Sequence, residues 1–336
     1  MLRATLGLDI GGANLKAAHS CGTARLAPFP LWKNPAGLAD ALRHCVTQLP
    51  RFELLAVTMT GELCDCFATK REGVSAILAA VATVADHRPI RVWQTHERFV
   101  DMATAISNPL RTASANWLAL ARFAGRYAPL GTSVLIDIGS TTTDIVPLEA
   151  GKPVPAGRTD LERLRSHELV YTGVRRTPVC ALLGSEGAAE LFATMLDVYL
   201  LLGRLVDNDA DFDTADGRPA TRAAAGARLA RMLCADAENL TECETRDLAE
   251  KIARLQLDLL RRAAAKVAQM LSTPPSTVVV SGSGEFLGRD LVNADTVLRA
   301  AECVSLADKL GPETSQAACA YAVAVFAAEA EAGPNG

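Results

Sequence analysis

The sequence is poor in aromatic residues, which make up only 5% of its 336 positions, and it has no apolar run near the ~20 residues of a membrane-spanning helix. It also lacks an excess of basic charge, since its formal net charge at pH 7 is −4. Nucleic-acid-binding surfaces carry clustered Lys and Arg, so the composition predicts neither a nucleic-acid partner nor a membrane partner. The N-terminal residues lead directly into a predicted strand that contains Asp9, which argues against a signal peptide.

The nine cysteines follow no repeating spacing, and this excludes a disulfide framework. We therefore expect reduced thiols and a cytoplasmic location. Cys64 and Cys66 have no second Cys or His pair at zinc-like spacing, so they are interpreted as ordinary thiols. The acidic loop 207–213 fails the EF-hand pattern, because Phe212 occupies the glycine position and Arg218 that of the final glutamate. A solvated or helix-capping loop is the prediction there.

Short apolar runs alternate with helical patterns in the first part of the chain, which is typical of an α/β sheet. At 336 residues the chain is long for one domain of roughly 100–200 residues, so two lobes are expected. A strand–turn–strand pattern opens each half, and this weak internal repeat predicts two similar lobes facing across a cleft. The predicted first lobe covers residues 1–130, with the closing helix 312–331 returning to it. The second covers 131–311, with a helical insertion at about 178–271.

The pattern also predicts individual elements within these lobes. The predicted strands are 5–10, 15–18, 54–59, 89–93, 133–138, 145–148 and 277–281. The predicted helices are 38–49, 74–85, 111–127, 178–205, 222–271 and 316–331.

Two glycine-rich turns, one at the head of each predicted lobe, carry the candidate chemistry. Each has an Asp on an apolar strand, followed by glycines and small polar residues whose backbone N–H groups can point at a phosphate. A buried carboxylate is costly unless it is paired or binds a metal, and Mg²⁺ takes one or two carboxylates together with phosphate oxygens. The predicted Mg²⁺ ligands are Asp9, Asp137 and Asp144. The predicted phosphate contacts are Gly11, Gly12, Asn14, Gly139, Ser140, Thr141, Thr142 and Thr143. The alternative is a pair of plain hairpin turns.

A third glycine turn, Gly282-Ser283-Gly284, follows an apolar strand and precedes a helix. Such a turn can bind an anion at the helix N-terminus, and we predict that it contacts substrate. Its glycine spacing does not match the dinucleotide-binding fingerprint. Arg175 and Arg176 are further candidates, because guanidinium groups pair with carboxylates and phosphates. A surface salt bridge is the alternative for either of them.

These turns resemble the phosphate and adenosine motifs of the actin, Hsp70 and sugar-kinase superfamily, and its hydantoinase/oxoprolinase-like branch in particular. Within that branch the chain is similar to proteins of tetrahydromethanopterin- and methanofuran-linked one-carbon metabolism. The matching stretches are 60–63, 137–147, 159–164, 168–178, 215–219 and 230–232. The resemblance implies an α/β fold of two actin-like, ribonuclease H-like lobes around a cleft, with a mostly helical insertion in the second lobe.

The resemblance also implies an activity: a transferase that condenses a furylmethyl diphosphate with the phenol of a γ-glutamyl-tyramine or tyrosine and releases diphosphate. The furan oxygen stabilises the developing cation, so the protein must neutralise the leaving group and exclude water. We assign this role to Mg²⁺ with Asp9, Asp144 and Lys16. The phenol has an ordinary pKa of about 10 and needs a base. Glu62 is the first candidate and His167 the second, although Glu62 could equally cap a turn.

Two other functions fit the same motifs. One is an ATP-dependent kinase or oxoprolinase-like hydrolase, and the other is a non-catalytic ATP-binding regulator. The first turn reads Gly12-Ala13-Asn14, where nucleotide-using relatives usually carry a Gly-Thr or Ser-Thr pair. This argues against ATP and is neutral toward a diphosphate substrate. The sequence leaves open ATP binding, the acceptor and whether the chain forms a homodimer.

Overall fold

A computed structural model describes residues 3–236 and 238–332 of the chain. The strands in these residues are β1 Thr5–Ile10, β2 Asn14–His19, β3 Ala24–Pro28, β4 Leu54–Met59, β5 Ile90–Gln94, β6 Arg98–Val100, β7 Thr132–Ile138, β8 Thr143–Glu149, β9 Lys152–Pro153, β10 Leu169–Val170, β11 Thr277–Ser281 and β12 Glu302–Ser305.

The α-helices in the described residues are α1 Leu38–Thr47, α2 Lys70–Ala85, α3 Met102–Ser107, α4 Pro109–Thr112, α5 Asn116–Ala124, α6 Asp160–Ser166, α7 Cys180–Leu183, α8 Met195–Leu201, α9 Arg222–Arg231, α10 Glu242–Ala268, α11 Glu285–Ala294, α12 Leu306–Leu310, α13 Pro312–Gln316 and α14 Ala318–Ala332. None of these helices has the length and apolarity that crossing a bilayer requires.

The described residues form two compact units. The first consists of residues 3–131, 148–162 and 304–332, and the second of the described residues in 132–147 and 163–303. From the sequence, residues 148–162 were predicted to belong to the second lobe. In the structure this segment packs in the first unit, where a Cβ on Gly125 would lie only 1.9 Å from the carbonyl oxygen of Gly151. These two glycines thus let the turn before β9 lie directly against the backbone at the end of α5.

The sheet of the first unit has the strand order β3-β2-β1-β4-β5-β6. Strand β2 runs antiparallel to β1 and β3, whereas β4 runs parallel to β1 and β5. Every residue of β1 and β4 is buried, as expected for strands whose sheet is covered on both faces. Gly7 allows α14 to lie directly on β1, because a Cβ there would be 1.9 Å from the carbonyl oxygen of Ala320.

The sheet of the second unit has the order β10-β8-β7-β11-β12, with β9 paired to β8 off this path. Strand β11 runs parallel to β7. Numbered within each sheet, leaving out β9, the first five strands follow the order 3-2-1-4-5 in both units. This is the ribonuclease H-like arrangement of actin-like lobes, and it confirms the predicted fold class.

The insertion in the second unit is less continuous than predicted. Within 178–205 only α7 and α8 are α-helical, and within 222–271 a break separates α9 from α10. Each interruption has a local cause. Gly184 has a φ of 56°, which ends α7, and Thr241 starts α10 through a capping box with Glu244.

Candidate functional site

The first glycine turn is closed by a hydrogen bond from the amide of Gly11 to the carbonyl of Asn14, 3.0 Å long. It joins β1 to β2 and places Asp9 opposite Lys16 across the hairpin. Asp9 is buried, with only 3% of its surface exposed. The amides of Thr60 and Gly61 both donate to the carbonyl of Ile10 at 2.9 Å. The stretch that follows β4 therefore lies against this turn.

Glu62 comes next in that stretch and is fully buried. Its Oε1 lies within hydrogen-bond distance of Ser114 Oγ, at 2.8 Å, and Ser114 Oγ also lies 2.8 Å from Asp160 Oδ2. Lys70 Nζ lies 2.8 Å from Asp160 Oδ2 and 3.8 Å from Glu62 Oε1. Burial raises the pKa of Glu62, and the opposing effects of the Ser114 hydrogen bond and the Lys70 charge are smaller. The sequence singled out Glu62 but missed its two side-chain partners, Ser114 and Lys70, and the Asp160 carboxyl that contacts both of them.

His167, the second candidate base, has a different environment. Its Nε2 lies 2.7 Å from Lys266 Nζ in an exposed contact of the second unit. A buried carboxyl with a raised pKa is the better candidate for a functional site. Burying an ionisable group costs free energy, and strongly perturbed pKa values cluster at functional sites. The structure therefore favours Glu62, and its role as a base stays a prediction.

The second glycine turn, between β7 and β8, is closed by a 2.9 Å hydrogen bond from the amide of Gly139 to the carbonyl of Thr142. The segment 173–176 wraps around it. The amide of Val174 donates to the carbonyl of Gly139 at 3.0 Å, and the amides of Arg175 and Arg176 donate to that of Ser140. The stretch 168–178, one of those that match the family, thus holds this turn in its conformation.

The third glycine turn packs against the end of β7, where the second glycine turn begins. Ser281 lies opposite Asp137 in the β11–β7 pair, and its hydroxyl donates to Asp137 Oδ1. The amide of Gly284 donates to the carbonyl of Ile138 at 2.8 Å. Gly282 has a φ of 91° and leaves no room for a Cβ, which would be 2.3 Å from the same carbonyl oxygen. The predicted turns 139–143 and 282–284 and the segment 173–176, which contains the candidates Arg175 and Arg176, therefore converge within one unit.

Two of the predicted contacts have structural partners instead. Thr143 is fully buried, and its hydroxyl donates to the carbonyl of Thr172 at 2.7 Å, so that hydroxyl hydrogen is already used. Arg175 Nη2 pairs with Asp211 Oδ2 at 2.5 Å. Ser140 and Thr141 keep partly exposed side chains, and their hydroxyl oxygens are 3.4 Å apart. The hydroxyl contacts proposed for phosphate are thus best assigned to the exposed part of the turn.

The predicted metal ligands differ in their surroundings. Asp144 Oδ1 accepts a hydrogen bond of 2.8 Å from Arg163, whose side chain is 1% exposed. This guanidinium already compensates the carboxylate charge, which makes Asp144 a poorer Mg²⁺ ligand. No group of three or more His, Cys, Asp or Glu in the described residues could hold a metal ion. An ion held by one carboxylate and phosphate oxygens needs no such group, so Mg²⁺ binding stays a prediction for Asp9 and, separately, for Asp137.

The acidic loop confirms the helix-capping prediction. Asp207 Oδ1 accepts a hydrogen bond from the backbone amide of Arg222 at the start of α9. Asp216 pairs with Arg228 at 3.0 Å and with Arg231 at 3.3 Å. The resembling stretches 215–219 and 230–232 are therefore explained by an ion network that attaches the loop to α9.

Gly173 tests whether the segment 173–176 holds the second glycine turn in place. We call this segment the 173–176 clasp. A Cβ at this position would lie 2.5 Å from the carbonyl oxygen of Gly139 and 2.6 Å from backbone atoms of Ser140 and Thr141. Gly173→Ala should therefore displace the turn, cost about 1–3 kcal/mol of stability and weaken diphosphate binding. Isothermal titration with diphosphate and Mg²⁺ measures the second effect.

Gly226→Ala is the matched control for that variant. Gly226 lies inside α9, and a Cβ there would meet its nearest atoms, on Leu201 and Thr245, at 3.9 Å and 4.0 Å, so the substitution is expected to stabilise by up to about 1 kcal/mol. Equal diphosphate affinity in the two variants would contradict the role given to the 173–176 clasp.

The chain is similar to known proteins along most of its length. The hydantoinase/oxoprolinase family model matches residues 53–330. A (4-{4-[2-(gamma-L-glutamylamino)ethyl]phenoxymethyl}furan-2-yl)methanamine synthase of Methanocaldococcus jannaschii is 33% identical over 330 residues, which are 95% of this chain and 96% of that protein. A synthase of the same name from Methanococcus vannielii is 30% identical over 201 residues, 57% of this chain and 89% of its own length.

Among solved structures, nucleotide-free acetone carboxylase matches with a TM-score of 0.56 at 12% identity, over 96% of this chain and 70% of that chain. At this identity the likeness bears on the fold alone.

Proposed function

The chain belongs to the hydantoinase/oxoprolinase family, and from this premise we propose that it is a synthase of methanofuran biosynthesis. It condenses a furylmethyl diphosphate with the phenol of a γ-glutamyl-tyramine and releases diphosphate. The observation that carries the proposal is the similarity to the M. jannaschii synthase, which extends over 95% of this chain at 33% identity. The name of that relative contains a phenoxymethyl-furan linkage, which is the ether that this reaction would form.

The glycine turns supply the binding chemistry for the leaving group. Backbone amides in a tight turn form a concave anion site, and the partly exposed hydroxyls of Ser140 and Thr141 add donors. These donors stabilise the negative charge that develops on diphosphate as the carbon–oxygen bond breaks. When bound, Mg²⁺ would neutralise part of that charge, and Asp9 or Asp137 would hold it.

Glu62 is the proposed acceptor of the phenol proton. A general base is most effective when its pKa is near the working pH, and burial shifts the pKa of Glu62 upward from its ordinary value. The stretch containing it lies against the first glycine turn through Thr60 and Gly61. A carboxyl in this position can take a proton without a metal or nucleotide at the phenol oxygen.

Ether formation is expected to proceed without ATP. The purified protein is incubated with synthetic aminomethylfuran methyl diphosphate, γ-glutamyl-tyramine and Mg²⁺, with and without ATP, and the products are followed by mass spectrometry. We expect equal product in both reactions and one diphosphate released per ether. Product that forms only with ATP, or ATP hydrolysis stimulated by the phenol alone, would replace the proposal with an ATP-dependent enzyme.

A further inference from the structure

Three side chains connect the interior of the first unit with its surface. Glu62 is fully buried, Ser114 contacts it, and Asp160 is 23% exposed. Ser114 Oγ lies 2.8 Å from Glu62 Oε1 and 2.8 Å from Asp160 Oδ2. Lys70, on α2, is the cation that faces both carboxyls, at 2.8 Å from Asp160 Oδ2 and 3.8 Å from Glu62 Oε1.

The number of hydrogens at Ser114 fixes the protonation of this cluster. A serine hydroxyl has one hydrogen, but here its oxygen is within hydrogen-bond distance of two carboxyl groups. If both carboxyls were ionised, one of them would face a lone pair of Ser114 Oγ at 2.8 Å, which is repulsive. One carboxyl must therefore carry a proton.

That proton belongs on Glu62. Burial raises the pKa of Glu62, whereas the partly exposed Asp160 carboxylate keeps Lys70 as its close cationic partner. Glu62 Oε1 then donates to Ser114 Oγ, and Ser114 donates to Asp160 Oδ2. The hydrogen bonds run in one direction, from the interior to the surface.

The backbone at Ser114 is strained in a way that supports a functional role. Its φ is 47°, in the left-handed region that residues other than glycine rarely adopt. Such strain costs on the order of 1 kcal/mol or more and persists where the surrounding structure imposes it. Ser114 lies in the short segment between α4 and α5, and this conformation accompanies the contact of one hydroxyl with both carboxyls.

We propose that Glu62, Ser114 and Asp160 form a proton relay that carries the phenol proton of the proposed reaction from the buried site to water. The inference rests on the proposed function and adds Ser114 and Asp160 as positioning residues. Glu62 Oε2 is buried and accepts no hydrogen bond from the described residues, so it is the atom that receives the proton.

Every proton and electron pair that moves in this relay is accounted for. The phenol oxygen attacks the furylmethyl carbon, and the bond from that carbon to diphosphate breaks with its electron pair leaving on diphosphate. The phenol proton passes to Glu62 Oε2 while Oε1 gives its proton to Ser114 Oγ. Ser114 gives its own hydrogen to Asp160 Oδ2, which releases it to water. Glu62 ends with one proton, as it began, and therefore acts as a base although it is protonated at rest.

The resting proton is tested without any substrate. Infrared spectroscopy at neutral pH should show the carbonyl band of a protonated carboxylic acid that disappears in Glu62→Gln and shifts in frequency in Ser114→Ala. Since no substrate is present, this result stands or falls independently of the proposed function. A wild-type protein without that band, or a band retained in Glu62→Gln, overturns the relay.

Turnover tests the movement of protons. Ser114→Ala and Asp160→Asn should each lower kcat by about 100-fold with little change in KM, in the range of general acid–base effects. In mixtures of H₂O and D₂O, the wild-type rate should curve with deuterium fraction because several protons move together, and Ser114→Ala should give a straight line. Ser107→Ala, an exposed serine on α3 in the same unit, is the control and should behave as wild type. Curvature that survives in Ser114→Ala overturns the relay, whereas an absence of ether formation in every form of the protein refutes the proposed function instead.

Discussion

Replacing Arg228 with Met is expected to lower the free energy of unfolding by about 3–5 kcal/mol, the range for breaking a buried ion pair. The Arg228 side chain is 0% exposed and pairs at 2.7 Å with Asp197, which is 1% exposed. Met keeps the length of the side chain but leaves the Asp197 carboxylate buried without this cation. Asp197 also forms the capping box of α8 with Thr194, so the loss affects the helix start as well.

Arg231→Met provides a matched control on the same helix. Arg231 shares the partner Asp216 with Arg228, but its side chain is 38% exposed. An exposed pair of this kind contributes about 0–1 kcal/mol, so the control should unfold nearly as wild type does. Urea unfolding followed by far-ultraviolet circular dichroism measures both variants. Similar midpoints for the two would show that burial does not set the strength of this network.

The strands were the part of the fold that the sequence predicted best. The bounds of β1 and β11 match the apolar runs exactly as predicted, because each run ends at a glycine turn and is buried on both faces. The insertion was predicted less well. The predicted helix 178–205 runs through 184–194, but Gly184 and the Thr194 capping box interrupt the helix there. These are local backbone effects that periodicity does not report.

The candidate site, like the fold, was predicted only in part from the sequence. The glycine turns could be predicted because glycine and an adjacent Asp are neighbours in sequence. The hydrogen-bonded cluster of Glu62, Ser114 and Asp160 could not, since Ser114 and Asp160 are 52 and 98 positions from Glu62 in the chain. Thr143 was assigned to phosphate from its place in a hydroxyl-rich turn, but the fold directs that hydroxyl to the carbonyl of Thr172. Side-chain direction within a turn depends on the segment packed against it.

The stretches that match the family therefore contain residues with two different roles. Those in 168–178 form the clasp around the second turn, whereas those in 215–219 and 230–232 form ion pairs that attach the acidic loop to α9. Similarity in a stretch of sequence did not distinguish these roles. Substitution in the first group should change ligand binding, and substitution in the second should change stability.

Glu62→Gln is expected to lower kcat for ether formation by about 10²–10⁴-fold, the usual contribution of a general base, with a small effect on KM. Gln retains the size of the side chain but can neither accept the phenol proton at Oε2 nor pass one from Oε1 to Ser114. Single-turnover measurements with both synthetic substrates separate this effect from binding. His167→Asn is the comparison, because His167 is an exposed contact of Lys266 and should change the rate by no more than about twofold.

The stability of the same variant shows whether the lost activity reflects chemistry or misfolding. Because burial raises the pKa of Glu62, the native state holds a proton that the unfolded chain releases above the ordinary carboxyl pKa. Wild-type stability should therefore fall as the pH rises from that ordinary value through the raised one. Glu62→Gln carries no such proton and should lose this part of the pH dependence while remaining folded. A variant that is folded, free of the pH-dependent loss and inactive identifies Glu62 as the base. A folded variant with near wild-type turnover, or a collapse of activity in His167→Asn alone, would transfer that role to His167.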